Sequence, residues 1–164
     1  MTLLILGIGQ SLRHDDGVGP AAVRFWKESF PILAQNPNVQ TEIEELPGLG
    51  LLNHLEGVNA AIVVDAVQSS AAPGTIHLLH QDNLDSFGPG AGSAHGWGVA
   101  ETLALGRRLY PDSLPTELTL IGTEGQDFSP GEGLSAVVRD QLPHVAATIN
   151  TLIQDHLART GEIQ

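Results

Sequence analysis

Two stretches of the chain, residues 2–8 (TLLILGI) and 60–66 (AAIVVDA), are continuous apolar runs of strand length. A strand that is apolar on both faces must be covered on both faces, which places it at the centre of a parallel sheet. Helices must then follow in sequence, because parallel neighbours need crossover connections. The pattern supplies them. From Val18 the apolar residues take helical spacing, with Val18, Ala22, Phe25 and Trp26 on one face and Pro31 as the stop. Val39, Thr41 and Ile43 alternate with Gln40, Glu42 and Glu44, which reads as a half-exposed strand nearer an edge. A short helix is expected from Leu49 to Leu55.

After Pro73-Gly74 a short strand is expected at 75–80 (TIHLLH), and residues 81–95, rich in Asp, Ser, Gly and Pro, read as a loop. Val99, Leu103, Gly106 and Tyr110 set a further helical face, then 118–122 (LTLIG) forms a strand. Val145, Ile149, Leu152, Ile153 and Leu157 make an amphipathic C-terminal helix. The expected fold is α/β, a three-layer αβα sandwich around a mostly parallel sheet. At 164 residues, without repeats or a long linker, residues 1–164 read as one domain.

Composition narrows the function. The chain has no cysteine, which removes disulfides, zinc-thiolate sites and a cysteine nucleophile together. A formal net charge of −12 with only seven Lys plus Arg disfavours nucleic-acid partners. The opening MTLLILGIGQ has no basic flank, and its apolar run falls far short of the about 20 residues a membrane span needs. A cytoplasmic protein without membrane contact is expected.

Ligands of such sheets gather beyond the carboxyl ends of the strands. Three polar clusters fall there: the segment from Gly7 to Gly19 (GIGQSLRHDDGVG), Asp65 at the end of the second apolar run, and Ser93-Ala94-His95-Gly96 before a helix. The glycines suggest a dinucleotide fold, but the third fingerprint position is Leu12 and the helix starts only near Gly17. There is no Gly-x-Ser-x-Gly elbow and no His-Glu-x-x-His helix. Two carboxylates and an imidazole remain, a donor set suited to nickel or zinc with coordination positions left open. Each also has a plainer reading: Asp16 as a helix cap, Asp65 as a turn residue, His95 as a surface or cap-region histidine.

Gly7-x-Gly9-Gln10-x-Leu12-x-x-Asp15-Asp16-Gly17-x-Gly19, a strand ending Val64-Asp65-Ala66, then Pro73-Gly74-Thr75 and Ser93-x-His95, resembles the maturation endopeptidases of nickel–iron hydrogenases. The match runs in order from Leu4 to about residue 122. The resemblance implies a twisted five-stranded sheet between helices. It implies removal of a short C-terminal extension from the precursor of a hydrogenase large subunit already loaded with nickel. The positions matching the family's catalytic, nickel-contacting residues are Asp16, Asp65 and His95. Nickel would be carried by the substrate as a recognition signal, with other divalent ions substituting for it in crystals. An acid pair beside it would position or deprotonate water, by either aspartate. Two positions depart from the family: its usual asparagine is Gln10, and its Asp-Gly-Gly-Thr-like segment is replaced by Glu44-Glu45-Leu46-Pro47-Gly48-Leu49-Gly50. A non-catalytic nickel-binding or chaperone protein of hydrogenase assembly is the alternative, and a hydrolase of small molecules a third reading.

Overall fold

Leu3–Ile8 (β1) is buried along its whole length, as a strand with helices on both sides must be. It pairs in parallel with Val39–Glu44 (β2) on one side and with Ala60–Val67 (β3) on the other. Glu117–Glu124 (β5) continues the parallel series beside β3, and Ile76–His80 (β4) closes the far edge antiparallel to β5. The order is β2-β1-β3-β5-β4. The computed structural model describes residues 2–45, 48–84 and 98–161.

The two faces of the sheet carry different cores. Leu3, Ile5, Ile62 and Val64 pack against Val18–Ser29 (α1) and against Leu142–Thr160 (α7), which follows the single turn Ala136–Arg139 (α6), through Ala22, Val23, Trp26, Ile149 and Ile153. Leu4, Leu6, Ala61 and Val63 pack on the opposite face against Leu51–Leu55 (α3) and Gly98–Leu109 (α5), through Leu51, Leu55, Ala100 and Leu103. Neighbouring residues of one strand thus serve opposite layers, which is why β1 and β3 carry no polar alternation. Burying a side chain such as Ile149 contributes about 1.5–3 kcal/mol. The αβα sandwich and the mostly parallel five-stranded sheet are as expected.

Several local expectations change. Pro31 ends α1 at Ser29 but also opens a second short helix, Pro31–Ala34 (α2), where a proline at the first position loses no hydrogen bond. The loop expected from residue 81 starts instead with a helical turn, Gln81–Leu84 (α4), whose Leu84 is buried. Tyr110 falls beyond α5 and is 55% exposed, so it does not belong to the helix's buried face. Asp65 lies within β3, two residues before its end, and not in a turn. β4 runs antiparallel because the chain from Val67 to Ile76 is too short for a helical crossover. Among the described residues no helix is long and apolar enough to cross a membrane.

Candidate functional site

The connection from β1 to α1 is built by two close backbone approaches. Gly9 has φ +136°, and a β-carbon there would lie 1.7 Å from the carbonyl oxygen of Asp16. A β-carbon on Gly19 would lie 2.3 Å from the carbonyl oxygens of both Ile8 and Val64. The start of α1 therefore rests directly on the ends of β1 and β3. A turn of tight helix, His14–Gly17, precedes α1, and it brings Asp16 over the strand ends. Asp16 Oδ2 accepts the Gln10 N–H at 3.0 Å. The helix itself has no side-chain cap, so capping is not the work of this carboxylate.

Asp65 comes to the same place from β3, where its register partner on β5 is Gly122. Burial, then the negative charge of Asp16, push its pKa well above the ordinary carboxylic range, against a smaller opposing bond from the Ala66 N–H. Asp16 and Asp65 both line a cavity of about 710 Å³ at the carboxyl end of the sheet, with Arg13, Glu45, Gln68 and Phe128 also in its walls. A carboxyl pushed towards its protonated form by burial, beside a second carboxylate, is an arrangement suited to proton transfer.

Sequence reasoning separated Asp16 from its neighbour Asp15 without finding what Asp15 does. Asp15 is fully buried, and its carboxylate accepts N–H bonds from Gln126 (2.8 Å), Asp127 (3.0 Å) and Ser135 (2.7 Å) and the Ser135 hydroxyl (2.8 Å). Burial opposes ionisation, but these bonds together hold its pKa below the ordinary value. The segment after β5 is also zipped to this turn through the backbone. His14 N–H donates to Gly131 O, Gly131 N–H to Leu12 O, and Asp15 N–H to Asp127 O. His14 sits at φ +44° with Nδ1 2.9 Å from Gly133 O. Arg13 Nη2 donates to Phe128 O at 3.1 Å, which ties two cavity walls together.

A second carboxylate also escaped the sequence reading. Glu124, 1% exposed at the end of β5, accepts the N–H and the hydroxyl (2.9 Å) of Ser69 and faces His77 Nε2 at 3.1 Å. It fastens the connection after β3 to the edge strand. The sequence signal was present in Thr123-Glu124, since β5 continues two residues past Gly122, where the apolar pattern stops.

Of the expected trio, Asp16 and Asp65 share the cavity and His95 lies outside the described residues. Among the described residues no group of three or more His, Asp or Glu side chains is placed to hold a metal ion. The replaced segment does contribute, since Glu45 lines the cavity from the end of β2.

Fold and cavity together define a three-layer α/β protein with a paired-carboxylate pocket at the strand ends. The sequence model of the hydrogenase maturation proteases matches residues 46–152. The hydrogenase expression/formation protein HoxM of Azotobacter vinelandii is 32% identical over 142 residues, covering 85% of this chain and 66% of its own length. HupD of Bradyrhizobium diazoefficiens, of the same description, is 32% identical over 142 residues, covering 85% of this chain and 71% of its own. The chain thus spans just under two thirds of the Azotobacter relative. The hydrogenase maturating endopeptidase HybD from E. coli superposes with a TM-score of 0.73 at 23% identity, over 95% of this chain and 94% of that one. At that identity the likeness concerns the fold. The chain belongs to the hydrogenase maturation protease family.

Proposed function

We propose that the protein is an endopeptidase that removes a short C-terminal extension from the precursor of a nickel–iron hydrogenase large subunit, acting as one domain in the cytoplasm. Family membership supports the reaction class. The observation that carries the site is the meeting in one cavity of Asp16 with Asp65, whose pKa burial raises. In this reading the Asp16 carboxylate takes a proton from water as the water oxygen attacks the scissile carbonyl carbon. Asp65 then gives its proton to the departing amide nitrogen. The products are a new carboxylate on the mature subunit and a free amine on the released peptide. This makes the hydrolysis aspartate-dependent.

The nickel belongs to the substrate, held there by the precursor's own cysteines. Asp16, Asp65 and His95 offer oxygen and nitrogen donors for positions left open on the ion, a donor set without thiolate that holds free nickel weakly. A metal carrier would instead need a closed set of ligands of its own. Purified protein mixed with nickel-loaded and nickel-free precursor, followed by mass spectrometry, tests the reading. Cleavage of the loaded precursor alone is expected. Equal cleavage of both would remove nickel as the recognition signal. Normal cleavage by Asp16→Asn and Asp65→Asn variants would remove the carboxylates from the reaction.

A further inference from the structure

β2 is an edge strand, and alternate residues of a strand share a face. Glu42 and Glu44 therefore leave β2 on the same side, where His54 of α3 meets both. His54 Nδ1 lies 2.6 Å from Glu42 Oε2, and its Nε2 lies 3.1 Å from Glu44 Oε2. An ionised carboxylate only accepts, so each ring nitrogen has to donate. A neutral imidazole has one N–H and one lone pair, and that lone pair would face a carboxylate. The arrangement is complete only when the ring carries both hydrogens, as an imidazolium between two carboxylates.

The surroundings leave this balance to the three residues. Of the elements packed on α3, the tight turn Gly48–Gly50 carries no ionisable side chain. Helix α5 carries Glu101, Arg107 and Arg108, but it is Gly106 that packs on Leu52 of α3, and Arg107 Nη2 is turned to the Pro115 carbonyl at 2.9 Å. Glu56, just after α3, lines a separate groove with Leu52 and Leu105. Lys27 reaches β2 at Thr41, on the strand's other face. The Glu42 bond, opposed by burial and helped by the Glu44 bond, raises the pKa of His54 above its ordinary value.

The position of this cluster gives it a hold on the Asp16–Asp65 cavity. Glu44 is followed by Glu45, and His54 comes about one helical turn after Leu51. Glu45, Gly48 and Leu51 all line that cavity. We propose that Glu42, His54 and Glu44 form a proton-operated clamp between β2 and α3 that positions the wall of the cavity built by Glu45, Gly48 and Leu51. When the ring gives up one proton, a bare nitrogen faces a carboxylate, and two like charges remain without the cation between them. The raised pKa sets the direction: the hold is complete below the unfolded value of about 6.5 and is lost as pH rises through the native one. His54 is a positioning residue here, and the clamp does not depend on the peptidase reading.

The ring is 28% exposed and Glu42 45%, so the clamp adds little to global stability and its protonation is the quantity to read. Nitrogen NMR of the full chain, titrated upward from about pH 5, follows the His54 ring and the backbone amides together. A His54 midpoint above about 6.5 is expected, with the amides of Glu45, Gly48 and Leu51 moving at that same midpoint. Glu42→Gln with Glu44→Gln should return the midpoint to about 6.5. His54→Gln, at a half-exposed position that does not open the core, should leave those three amides still across the same range. A parent midpoint at or below about 6.5 would overturn the clamp. So would amides of Gly48 and Leu51 that stay still in the parent, or that move equally in His54→Gln, because the wall would then not answer to this ring.

Discussion

Burial and the negative charge of Asp16 both raise the pKa of Asp65, although the two residues come from different elements, the turn before α1 and strand β3. Their meeting is made by the backbone contact of Gly19 with Ile8 and Val64, which seats the start of α1 on the strand ends. The pair carries an energetic signature that can be read without substrate. Folded Asp65 holds its proton to higher pH than the unfolded chain does. Its folded-state pKa is raised, so this contribution to stability is complete below the unfolded value of about 3.9 and is lost as pH rises towards the native value. Asp65→Asn should flatten that decline, giving a urea midpoint that falls less than the parent's as pH rises above about 3.9. Parallel curves for the two proteins would show that Asp65 ionises normally.

Asp15 behaves in the opposite sense. Its pKa is lowered, so its stabilisation is present above the unfolded value of about 3.9 and is lost as pH falls through the native one. Asp15→Ala leaves the N–H groups of Gln126, Asp127 and Ser135 without that carboxylate, and a loss of roughly 3–5 kcal/mol is expected. Chemical denaturation at neutral pH measures it. A loss under about 1 kcal/mol would mean that water replaces the carboxylate without penalty.

The adjacent pair Asp15-Asp16 shows where sequence reading stops. Both residues are aspartate, both follow a glycine-rich strand end, and only contacts with residues 111 to 120 positions later give them different roles. The central strands were legible because burial on both faces demands continuous apolar runs, and β1 and β3 have them. Asp65 stood out because a carboxylate is costly in such a run. Glu124 gave a weaker signal, since it lies past the apolar part of β5 and its partners Ser69 and His77 are 55 and 47 residues away in sequence. The strand at 75–80 was legible as a strand, but its antiparallel place depended on its pairing partner, β5, which comes later in the chain and lies between it and β3.

Gly19→Ala should act on the site through the backbone. The new β-carbon would press on two carbonyl oxygens that belong to strands and cannot yield as a flexible side chain would. A destabilisation of about 1–3 kcal/mol is expected from such overpacking, with a larger fractional fall in precursor processing because Asp16 shifts relative to Asp65. Gly50→Ala serves as the control. Gly50 has φ −60°, and nothing lies within 4 Å of its β-carbon position. It should change stability by no more than about 0.5 kcal/mol. Equal effects at the two glycines would disprove the close-approach account.

Glu124 offers a test of how the edge of the sheet supports the cavity. Its carboxylate takes both donors of Ser69 and faces His77 on β4, so one buried side chain joins β5, the segment leaving β3 and the antiparallel edge strand. Gln68, next to Ser69, lines the carboxylate cavity, so a change at Glu124 reaches the site through one peptide unit. Glu124→Ala removes the acceptor for the Ser69 N–H and hydroxyl, and a loss of roughly 2–4 kcal/mol is expected. Glu124→Gln keeps one acceptor oxygen and should lose about half as much. Hydrogen exchange resolves where the loss falls: amides of Ile76–His80 should exchange faster in both variants, those of Leu3–Ile8 unchanged in the milder one. Uniform acceleration across all five strands would instead mean that Glu124 stabilises the fold globally and has no particular hold on the edge strand.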